Sequence, residues 1–515
     1  MRLTTRKKRG IFGFLFNRIT FSAILLSMQL VLYLSFFHWF DEVLPNYELI
    51  QIIFTVGMTI YLFNKQMDSS AKLTWLVLIA IFPVSGAALL LYNEVNPGRR
   101  RLKKRSEAMI SQTMTLLPKQ RKVLKTLEES GSGLDDLNRF IRRTGCFPVY
   151  SGTEVQYYAL GDLCLPAMLE ELERAKRFIY LEFFIIAEGE MWGAILEVLA
   201  RKAKEGVDVR VLYDGTCEVK RLPHDYPARL AALGIHAKVF SPITAAFSTQ
   251  FNYRDHRKIL VIDGQVAFNG GINLADEYVN RISPFGHWKD TAVRLRGSAV
   301  QSFTLMFLQM WNMTEHEPDF SPCLAPAAPQ ENAEGFVMPF GESPLDEDKV
   351  GESIYIDTLA RANDYVYFMT PYLILDGELE TALRFAAQRG VDVRIILPGI
   401  PDKFFAYALA KSHYLSLMDA GVRLYEYAPG FVHAKVCLSD GCRAVVGTIN
   451  LDYRSLYHHF ECATYLYRTP CIAAIEADFT ETFFQCREVT RESFKHGNLL
   501  YRIVGGCLKV IAPLM

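Results

Sequence analysis

Two short segments of the chain carry the same chemically active residues at the same spacing. One reads His256-Arg-Lys258-Ile-Leu-Val-Ile-Asp263-Gly264, and the other reads His433-Ala-Lys435-Val-Cys-Leu-Ser-Asp440-Gly441. In an extended strand alternate side chains share a face, so each imidazole emerges beside an ammonium group. An imidazole can attack phosphorus or exchange protons, and an ammonium group can hold an anion. The pair of segments therefore predicts one site that handles a phosphate.

Each segment is also predicted to form the first arm of a β-hairpin. The Asp-Gly pairs at 263–264 and 440–441 accept positive φ, and an apolar run follows each pair. Each return strand then ends in a loop of small residues and an asparagine, whose N–H groups can approach an anion; these loops contain Gly270, Gly271 and Asn273, and Gly447, Thr448 and Asn450. A single copy could be a plain hairpin, but a hairpin alone does not require the same intervals twice.

The duplicated pattern resembles the HxKxxxxD and Gly-x-x-Asn motifs of the phospholipase D superfamily, which occur in two halves of one chain. Longer segments resemble bacterial cardiolipin synthases: Asn252-Tyr-Arg-Asp-His-Arg-Lys-Ile, Gly271-Ile-Asn-Leu-Ala-Asp-Glu-Tyr, His287-Trp-Lys-Asp-Thr and Asn450-Leu-Asp-Tyr-Arg-Ser. The resemblance covers the chain from about Cys146 to the C-terminal segment. It implies transfer of a phosphatidyl group between two phosphatidylglycerol molecules to give cardiolipin and glycerol, with no cofactor and no metal.

The resemblance also implies roles for individual residues. The implied catalytic set is His256, Lys258 and Asp263 with His433, Lys435 and Asp440, although the turn positions of the two aspartates favour a structural role. His256 is expected to attack and His433 to act as acid and then base. Substrate binding is expected from Gly271, Asn273, Thr448 and Asn450. Asp290 is expected to orient His256, Glu461 to orient His433, and Glu182 and Glu277 to lie behind them. His459 stands where many relatives carry Asn.

The amino-terminal part is predicted to anchor the chain in a membrane. Ile19–Phe40 is long and apolar enough to cross a bilayer, and Leu73–Tyr92 is about as long. Tyr47–Phe63 could span, lie in the interface, or dip in and return. Basic clusters at 6–9 and 99–105 favour two spans with both clusters in the cytoplasm, whereas hydropathy also permits three. We expect a multi-pass cell-membrane protein with cytoplasmic catalytic lobes, whose basic run near the bilayer attracts anionic head groups.

Strand, helix, strand and motif hairpin recur in the same order, and Gly-Val-Asp-Val-Arg occurs at both 206–210 and 390–394. This order predicts an α/β fold with two phospholipase D-like lobes, each with a mixed sheet, in a pseudo-twofold arrangement. The expected domains are a membrane anchor (1–105), a helical connector (106–144), the first lobe (145–315), a Pro-rich linker (316–349), the second lobe (350–490) and a possible amphipathic tail (491–515). The tail could touch the bilayer or pack against the second lobe.

Composition limits the alternatives. The chain has 56 basic and 56 acidic residues, and this neutral balance argues against a nucleic-acid partner. Its 10 cysteines show no CxxC spacing and are expected to be reduced and packed. Three other functions stay open: a membrane hydrolase that makes phosphatidic acid, a phosphodiesterase nuclease of the same fold, and a non-catalytic scaffold for anionic lipid. The sequence leaves open the oligomeric state and the use of other donor or acceptor lipids.

Overall fold

The computed structural model describes residues 1, 3, 47–95, 97–118, 120–145, 147–242, 253–325 and 327–514. The chain divides into two compact units, and each is described by itself. The large unit comprises residues 1–3, 101–242 and 252–512, and the small unit comprises residues 4–100, 243–251 and 513–515. The predicted membrane segment Ile19–Phe40 lies outside the described residues.

In the small unit, the structure describes the helices α1 (Tyr47–Asn64), α2 (Ser69–Ile81) and α3 (Pro83–Val95). The predicted span Leu73–Tyr92 is not one continuous helix, because α2 ends before Phe82 and α3 begins at Pro83. The multi-pass arrangement stays a prediction. Proline lacks an N–H donor and suits the first turn of a helix, so it begins α3 and does not continue α2. Among the helices that the structure describes, none combines the length and the apolar character needed to cross a bilayer.

Helices precede the first lobe: α4 (Pro97–Thr113), α5 (Arg121–Ser130) and α6 (Leu134–Gly145). The strands of the first half are β1 (Thr153–Tyr158), β2 (Phe178–Phe183), β3 (Asp208–Asp214), β4 (His236–Phe240), β5 (Arg254–Asp255), β6 (Lys258–Ile262), β7 (Val266–Gly270), β8 (His287–Lys289) and β9 (Ala292–Gly297). Its helices are α7 (Gly161–Glu173), α8 (Glu190–Lys204), α9 (Cys217–Lys220), α10 (Tyr226–Ala231) and α11 (Val300–Trp311).

In the described residues the first sheet has seven strands in the order β1-β9-β7-β6-β2-β3-β4. β2, β3 and β4 run parallel, whereas β6, β7, β9 and β1 alternate in direction. Every residue of β2 is buried. Helices cover both faces of such a strand, which explains the continuous apolar run that the sequence shows there.

The second half repeats this plan. Its strands are β10 (Phe336–Glu342), β11 (Tyr365–Met369), β12 (Leu373–Ile374), β13 (Asp392–Pro398), β14 (Arg423–Tyr427), β15 (Gly430–Val432), β16 (Val436–Ser439), β17 (Arg443–Gly447), β18 (Leu451–Asp452), β19 (His459–Tyr467) and β20 (Cys486–Glu488). Its helices are α12 (Val350–Arg361), α13 (Gly377–Gln388), α14 (Phe404–Asp419), α15 (Tyr453–Tyr457), α16 (Cys471–Phe484), α17 (Arg491–Lys495) and α18 (Leu499–Leu508).

The second sheet follows the order β10-β19-β17-β16-β11-β13-β14-β20, which matches the first sheet strand for strand and adds β20. The prediction of two α/β lobes with mixed sheets is therefore confirmed. The pseudo-twofold relation stays a prediction.

Two segments outside the sheet centres differ from expectation. Residues 336–342 of the predicted linker form β10, which pairs with β19 along its whole length. The linker interpretation was wrong there because Pro339 lies in an edge strand, where a missing N–H donor is tolerated. In the tail, α18 packs on α14 of the second lobe, and several of its apolar side chains stay exposed.

Candidate active site

The two motif hairpins form as predicted. Asp263 and Gly264 have φ values of 54° and 67°, and Asp440 and Gly441 have φ values of 49° and 58°. Two consecutive positive φ values define the turn that best fits the twist of a hairpin, and Asp-Gly tolerates them. The first turn joins β6, which begins at Lys258, to β7, and the second joins β16, which begins just after Lys435, to β17.

Asp263 and Asp440 secure these turns to the neighbouring strand and do not contact the imidazoles. The Asp263 carboxylate accepts N–H bonds from Lys176, Arg177 and Phe178 at 2.7–2.9 Å. Asp440 accepts three equivalent bonds from residues 363–365 at 2.9–3.0 Å. Their place in the implied catalytic set is therefore corrected, because their lone pairs are engaged by backbone amides that fix the hairpin against β2 and β11.

Each histidine of the two motifs is held by a carboxylate from the other half of the chain. His256 Nδ1 lies 2.8 and 2.9 Å from the two oxygens of Glu461. His433 Nδ1 lies 2.6 Å from Asp290 Oδ2. The predicted pairing of Asp290 with His256 and of Glu461 with His433 was wrong, although both carboxylates do orient a histidine.

Two short pairs of strands, each with one strand from each lobe, explain why the carboxylates cross between the halves. β5, just before His256, pairs with β19 of the second half, and the His256 N–H donates to the Phe460 carbonyl at 2.9 Å. β15, just before His433, pairs with β8 of the first half, and the His433 N–H donates to the Lys289 carbonyl at 2.7 Å. Since the carboxylates lie at the ends of these partner ladders, each imidazole meets the acid of the opposite half.

The two lysines are buried beside the histidines. Lys258 Nζ donates to the His256 carbonyl at 2.6 Å and lies 5.4 Å from the Phe184 ring centroid. Lys435 Nζ lies 3.0 Å from His433 Nδ1. Burial lowers the pKa of Lys258 to about 8 and that of Lys435 to about 7. Both pKa values also respond to charges of the other half, since Glu461 and Asp290 act on both lysines, so the halves form one electrostatic site.

The two histidine–carboxylate pairs differ in charge. Burial lowers the pKa of His256 well below its ordinary value, whereas Glu461 is held ionised because His256 donates to it and lowers its pKa against the effect of burial. In the other pair, burial raises the pKa of Asp290 to about 7. Burial and the Lys435, Lys258 and Lys403 charges lower the pKa of His433. The His256–Glu461 pair therefore offers an uncharged imidazole beside an ionised carboxylate. The His433–Asp290 pair retains a proton up to about pH 7.

The predicted substrate-binding loops mainly support these pairs. Thr448 Oγ1 donates to Glu461 and accepts the Cys462 N–H at 3.0 Å. Asn273 accepts the Ile185 N–H at 2.9 Å and donates to the Tyr278 hydroxyl at 2.7 Å. Asn450 donates to Asp452 at 3.0 Å, and its amide oxygen is buried with no hydrogen bond in the described part of the chain. Their role in phosphate binding stays a prediction.

Gly271 has a clear steric role. A Cβ at this position would lie 2.1 Å from Asp290 Oδ1, far inside van der Waals contact. We therefore expect Gly271→Ala to displace Asp290 from His433 and to lower turnover by about 100-fold, the size of effect that loss of a general acid produces. Steady-state assays check this; Gly377→Ala, where a Cβ meets nothing within 4 Å, is the control. If Gly271→Ala turned over substrate as fast as the wild type, the close contact between residue 271 and Asp290 would be contradicted.

The remaining predicted acids lie away from the imidazoles. Glu182 is fully buried on β2 with Arg257 Nη1 at 3.8 Å, and burial raises its pKa well above the ordinary value. Glu277 pairs with Arg221 at 2.9 Å. Its neighbour Tyr278, which sequence reasoning did not single out, packs edge-on against His433 with ring centroids 5.2 Å apart. The sequence pattern of the Ala-Asp-Glu-Tyr segment does not predict the contact of Tyr278 with His433.

His459 adds a third imidazole to the site. Its ring lies 5.4 Å from the His256 ring, and its Nδ1 lies 3.6 Å from Glu461 Oε1. Neither ring nitrogen makes a hydrogen bond within the described ranges. The ligand atoms of His256, His459 and Glu461 all lie within 4.8 Å of one another, so this group could hold a metal ion. The prediction that the reaction needs no metal stays a prediction.

Buried nitrogen atoms without hydrogen bonds are costly, and a bound substrate would satisfy those of His459. We expect His459→Phe, which keeps a flat ring but removes both nitrogens, to raise KM for phosphatidylglycerol about tenfold, as loss of one hydrogen bond does. The value of kcat should change less. His459→Gln, which restores a donor and an acceptor, should recover part of the loss. An unchanged KM in His459→Phe would show that substrate does not use this ring.

The fold and the crossed histidine pairs define a phospholipase D-type enzyme. Residues 168–311 and 355–483 match the family described as "Cardiolipin synthase, PLD-like domain". The chain belongs to the cardiolipin synthase family. Cardiolipin synthase 2 of Bacillus anthracis is 34% identical over 465 residues, which cover 90% of each chain.

Two further comparisons agree in sequence and in fold. An uncharacterized protein of Streptococcus mutans is 53% identical over 460 residues, covering 89% of this chain and all of that one. The crystal structure of phosphatidylserine synthase from Haemophilus influenzae is similar in fold, with a TM-score of 0.56 at 15% identity, covering 75% of this chain and 97% of that chain.

Proposed function

We propose that this protein is a cardiolipin synthase that transfers the phosphatidyl group of one phosphatidylglycerol to the free glycerol hydroxyl of another. The observation that carries this proposal is the pair of imidazoles, each oriented by a carboxylate of the opposite half, in a chain of the cardiolipin synthase family. Such a pair can attack phosphorus and protonate the departing alcohol within one site.

In the first step His256 is the nucleophile. Its Nδ1–H is held by the ionised Glu461, so its Nε2 carries a lone pair of increased basicity that can attack phosphorus. The bond from phosphorus to the head-group glycerol oxygen breaks, and the His433–Asp290 pair gives that oxygen a proton. Glycerol leaves, and the phosphatidyl group stays on His256 as a phosphohistidine.

The second step reverses these roles. The free glycerol hydroxyl of another phosphatidylglycerol attacks phosphorus, the His433–Asp290 pair takes its proton, and the bond to His256 breaks. Cardiolipin leaves, and both pairs return to their first protonation states. Lys258 and Lys435 would stabilise the negative charge that builds up on the phosphate oxygens in both steps.

These lysines imply an alkaline limit to activity. The ammonium form of Lys435 is lost as the pH rises through about 7, and that of Lys258 as it rises through about 8. We therefore expect kcat/KM for phosphatidylglycerol to fall progressively above about pH 7–8, since this ratio reports the free enzyme. The negative phosphate of a bound substrate stabilises the ammonium forms of both lysines. The fall in kcat should therefore occur at higher pH than the fall in kcat/KM.

Assays of kcat/KM from pH 6 to pH 10 check this alkaline limit. Lys435→Arg keeps a positive charge throughout that range and should move the fall to higher pH, with a lower plateau because the guanidinium is larger. A wild-type profile that stays flat to pH 10 would contradict the proposed need for both charges.

We also propose that the enzyme is a multi-pass cell-membrane protein with cytoplasmic catalytic lobes. Support comes from the apolar segment Ile19–Phe40 in the sequence and from the surface of the small unit. There Leu49, Ile52, Ile53 and Phe63 on α1 are exposed. Contiguous exposed apolar surface is uncommon in water and suits a lipid environment.

Product analysis tests the function. Purified protein is incubated with phosphatidylglycerol alone, and the products are identified by mass spectrometry. We expect cardiolipin and glycerol in equal amounts. Phosphatidic acid without cardiolipin would instead identify a hydrolase, in which water intercepts the intermediate. In separate incubations, cleavage of DNA or RNA would favour a nuclease. Lipid binding without any product would favour a scaffold.

A further inference from the structure

The C-terminal helix α18 and helix α14 form a single surface at one end of the second lobe. The Tyr501 ring lies 4.9 Å from the Phe404 ring, and a Cβ on Gly505 would lie 2.1 Å from the Ala408 carbonyl oxygen. Tyr501 is three residues into α18 and contacts the first residue of α14, and Gly505 contacts Ala408, four residues further along both helices. The helices therefore run parallel, and their first turns lie side by side. Gly505 permits this close approach because it has no side chain.

Apolar side chains are exposed at this shared end. We call them the docking face; it consists of Ile400, Phe404, Phe405, Leu499, Leu500 and Ile503, all of them exposed. Phe405 is 58% exposed. Large apolar side chains grouped in this way usually mark a surface that contacts a partner or a membrane.

The charges around the docking face favour an anionic partner. Between Ser493 and Met515 the sequence contains Lys495, Arg502 and Lys509 and neither Asp nor Glu. Of these, Lys509 lies 3.9 Å from Glu380, whereas Lys495 and Arg502 add positive charge. Lys403 immediately precedes Phe404, the first residue of α14, and its side chain is largely exposed. Asp402 is engaged by the Tyr372 hydroxyl at 2.7 Å and lies 3.8 Å from Lys403. Apolar side chains among lysine and arginine are the composition that binds the surface of an anionic bilayer.

The docking face borders the active site. Lys403 Nζ lies 2.9 Å from the Tyr372 hydroxyl, and both residues line a cavity together with Phe431. The Phe431 ring lies 6.0 Å from the His433 ring. The path from the exposed phenylalanines to the catalytic histidine therefore passes through only a few side chains.

We propose that the docking face rests on an anionic phospholipid bilayer and holds the His433 side of the site against the lipid surface. This inference rests on the proposed function, since a lipid substrate must pass from the bilayer to the histidines. It adds a second membrane contact, made by the large unit itself. A bilayer fits the docking face better than a second copy does, because a copy would bring the same positive charges together.

The test compares two forms of one substrate, using the full chain with its detergent diluted below the micelle concentration. Phosphatidylglycerol is presented in vesicles or as the short-chain dihexanoyl lipid below its micelle concentration. We expect the double variant Phe405→Glu/Ile503→Glu to lose at least about tenfold in turnover on vesicles, while turnover of the soluble lipid stays within about twofold of wild type. Phe385→Glu on α13 is the matched control, because Phe385 is also 58% exposed. It should leave both activities unchanged.

A second measurement detects the contact directly. Phe405→Trp and Phe385→Trp proteins are reconstituted in vesicles of phosphatidylglycerol and phosphatidylcholine with brominated tails, and wild-type fluorescence is subtracted. Quenching at position 405 and not at 385 is expected.

Equal turnover of vesicles by the double variant and wild type, or no quenching at 405, would overturn the proposal. So would a shift from dimer to monomer in the double variant without quenching at 405, which would assign the face to a second copy. Failure of the proposed function is a different result: wild-type protein would then make no cardiolipin from either form of the lipid.

Discussion

His256→Ala and His433→Ala are each expected to lower cardiolipin formation by about 10⁴-fold or more, because neither half supplies both the nucleophile and the proton donor. The matched control is His236→Ala, which removes an exposed histidine on β4 and should leave turnover unchanged. Substantial activity in either active-site variant would reject a site shared between the halves.

An activated substrate separates the roles of these two histidines. A phosphatidyl ester of p-nitrophenol needs no proton donor, because its leaving group is stable as an anion. His433→Ala should therefore release a burst of about one equivalent of p-nitrophenol and then stall, since no base activates the acceptor. His256→Ala should give no burst. The opposite result would exchange the roles of the two histidines.

The carboxylate pairs give the second large effect. Glu461→Gln removes the charge that supports His256, and we expect it to lower cardiolipin formation by about 10²–10⁴-fold, comparable with the contribution of general acid–base catalysis. Asp290→Asn should lower it by a similar factor through His433. Circular dichroism of both variants checks that the buried substitutions leave the fold intact.

The activated substrate tests which histidine each carboxylate serves. Because Glu461 contacts His256, Glu461→Gln should fail to give a burst with the p-nitrophenyl ester. Asp290→Asn should keep the burst, since protonation of the leaving group is no longer needed. If Asp290→Asn abolished the burst and Glu461→Gln kept it, the pairing within each half that the sequence suggested would be correct, and the crossed contacts would be wrong.

The resemblance to the phospholipase D superfamily implied which carboxylates support the histidines. From the residues themselves, sequence reasoning reached the hairpins and the repeated strand order. These features depend on local patterns: alternating side chains, Asp-Gly turns, and repeated segments such as Gly-Val-Asp-Val-Arg. Each is specified within about ten residues, so its structural consequence can be inferred without knowing the rest of the fold.

The crossing of the carboxylates could not be inferred in this way. It depends on two short ladders, β5 with β19 and β8 with β15, which join residues more than 140 positions apart in the chain. Strands of two or three residues have no periodicity to read, and their partners are chosen by packing of the whole domain. Packing of the whole domain also decides the contact of Tyr278 with His433 and leaves the ring nitrogens of His459 without hydrogen bonds among the described residues.

Two predictions that depended on proline differ from the structure. The prolines after His316 suggested a linker up to residue 349, but β10 accepts Pro339 because it lies at the edge of the sheet. Near the amino terminus, a continuous apolar run suggested one span across Pro83, whereas that proline starts a new helix. In both cases the position of the proline within its element, and not its presence, decided the structure.

The position of the covalent intermediate distinguishes the two histidines most directly. Wild-type enzyme is mixed rapidly with phosphatidylglycerol and quenched in alkaline denaturant, since a bond from phosphorus to nitrogen is labile in acid, and its peptides are mapped by mass spectrometry. We expect a phosphatidyl group on His256 of the wild-type enzyme and no phosphatidyl group on the Glu461→Gln variant. A phosphatidyl group on His433, or cardiolipin formed at a normal rate by His256→Ala, would contradict this expectation.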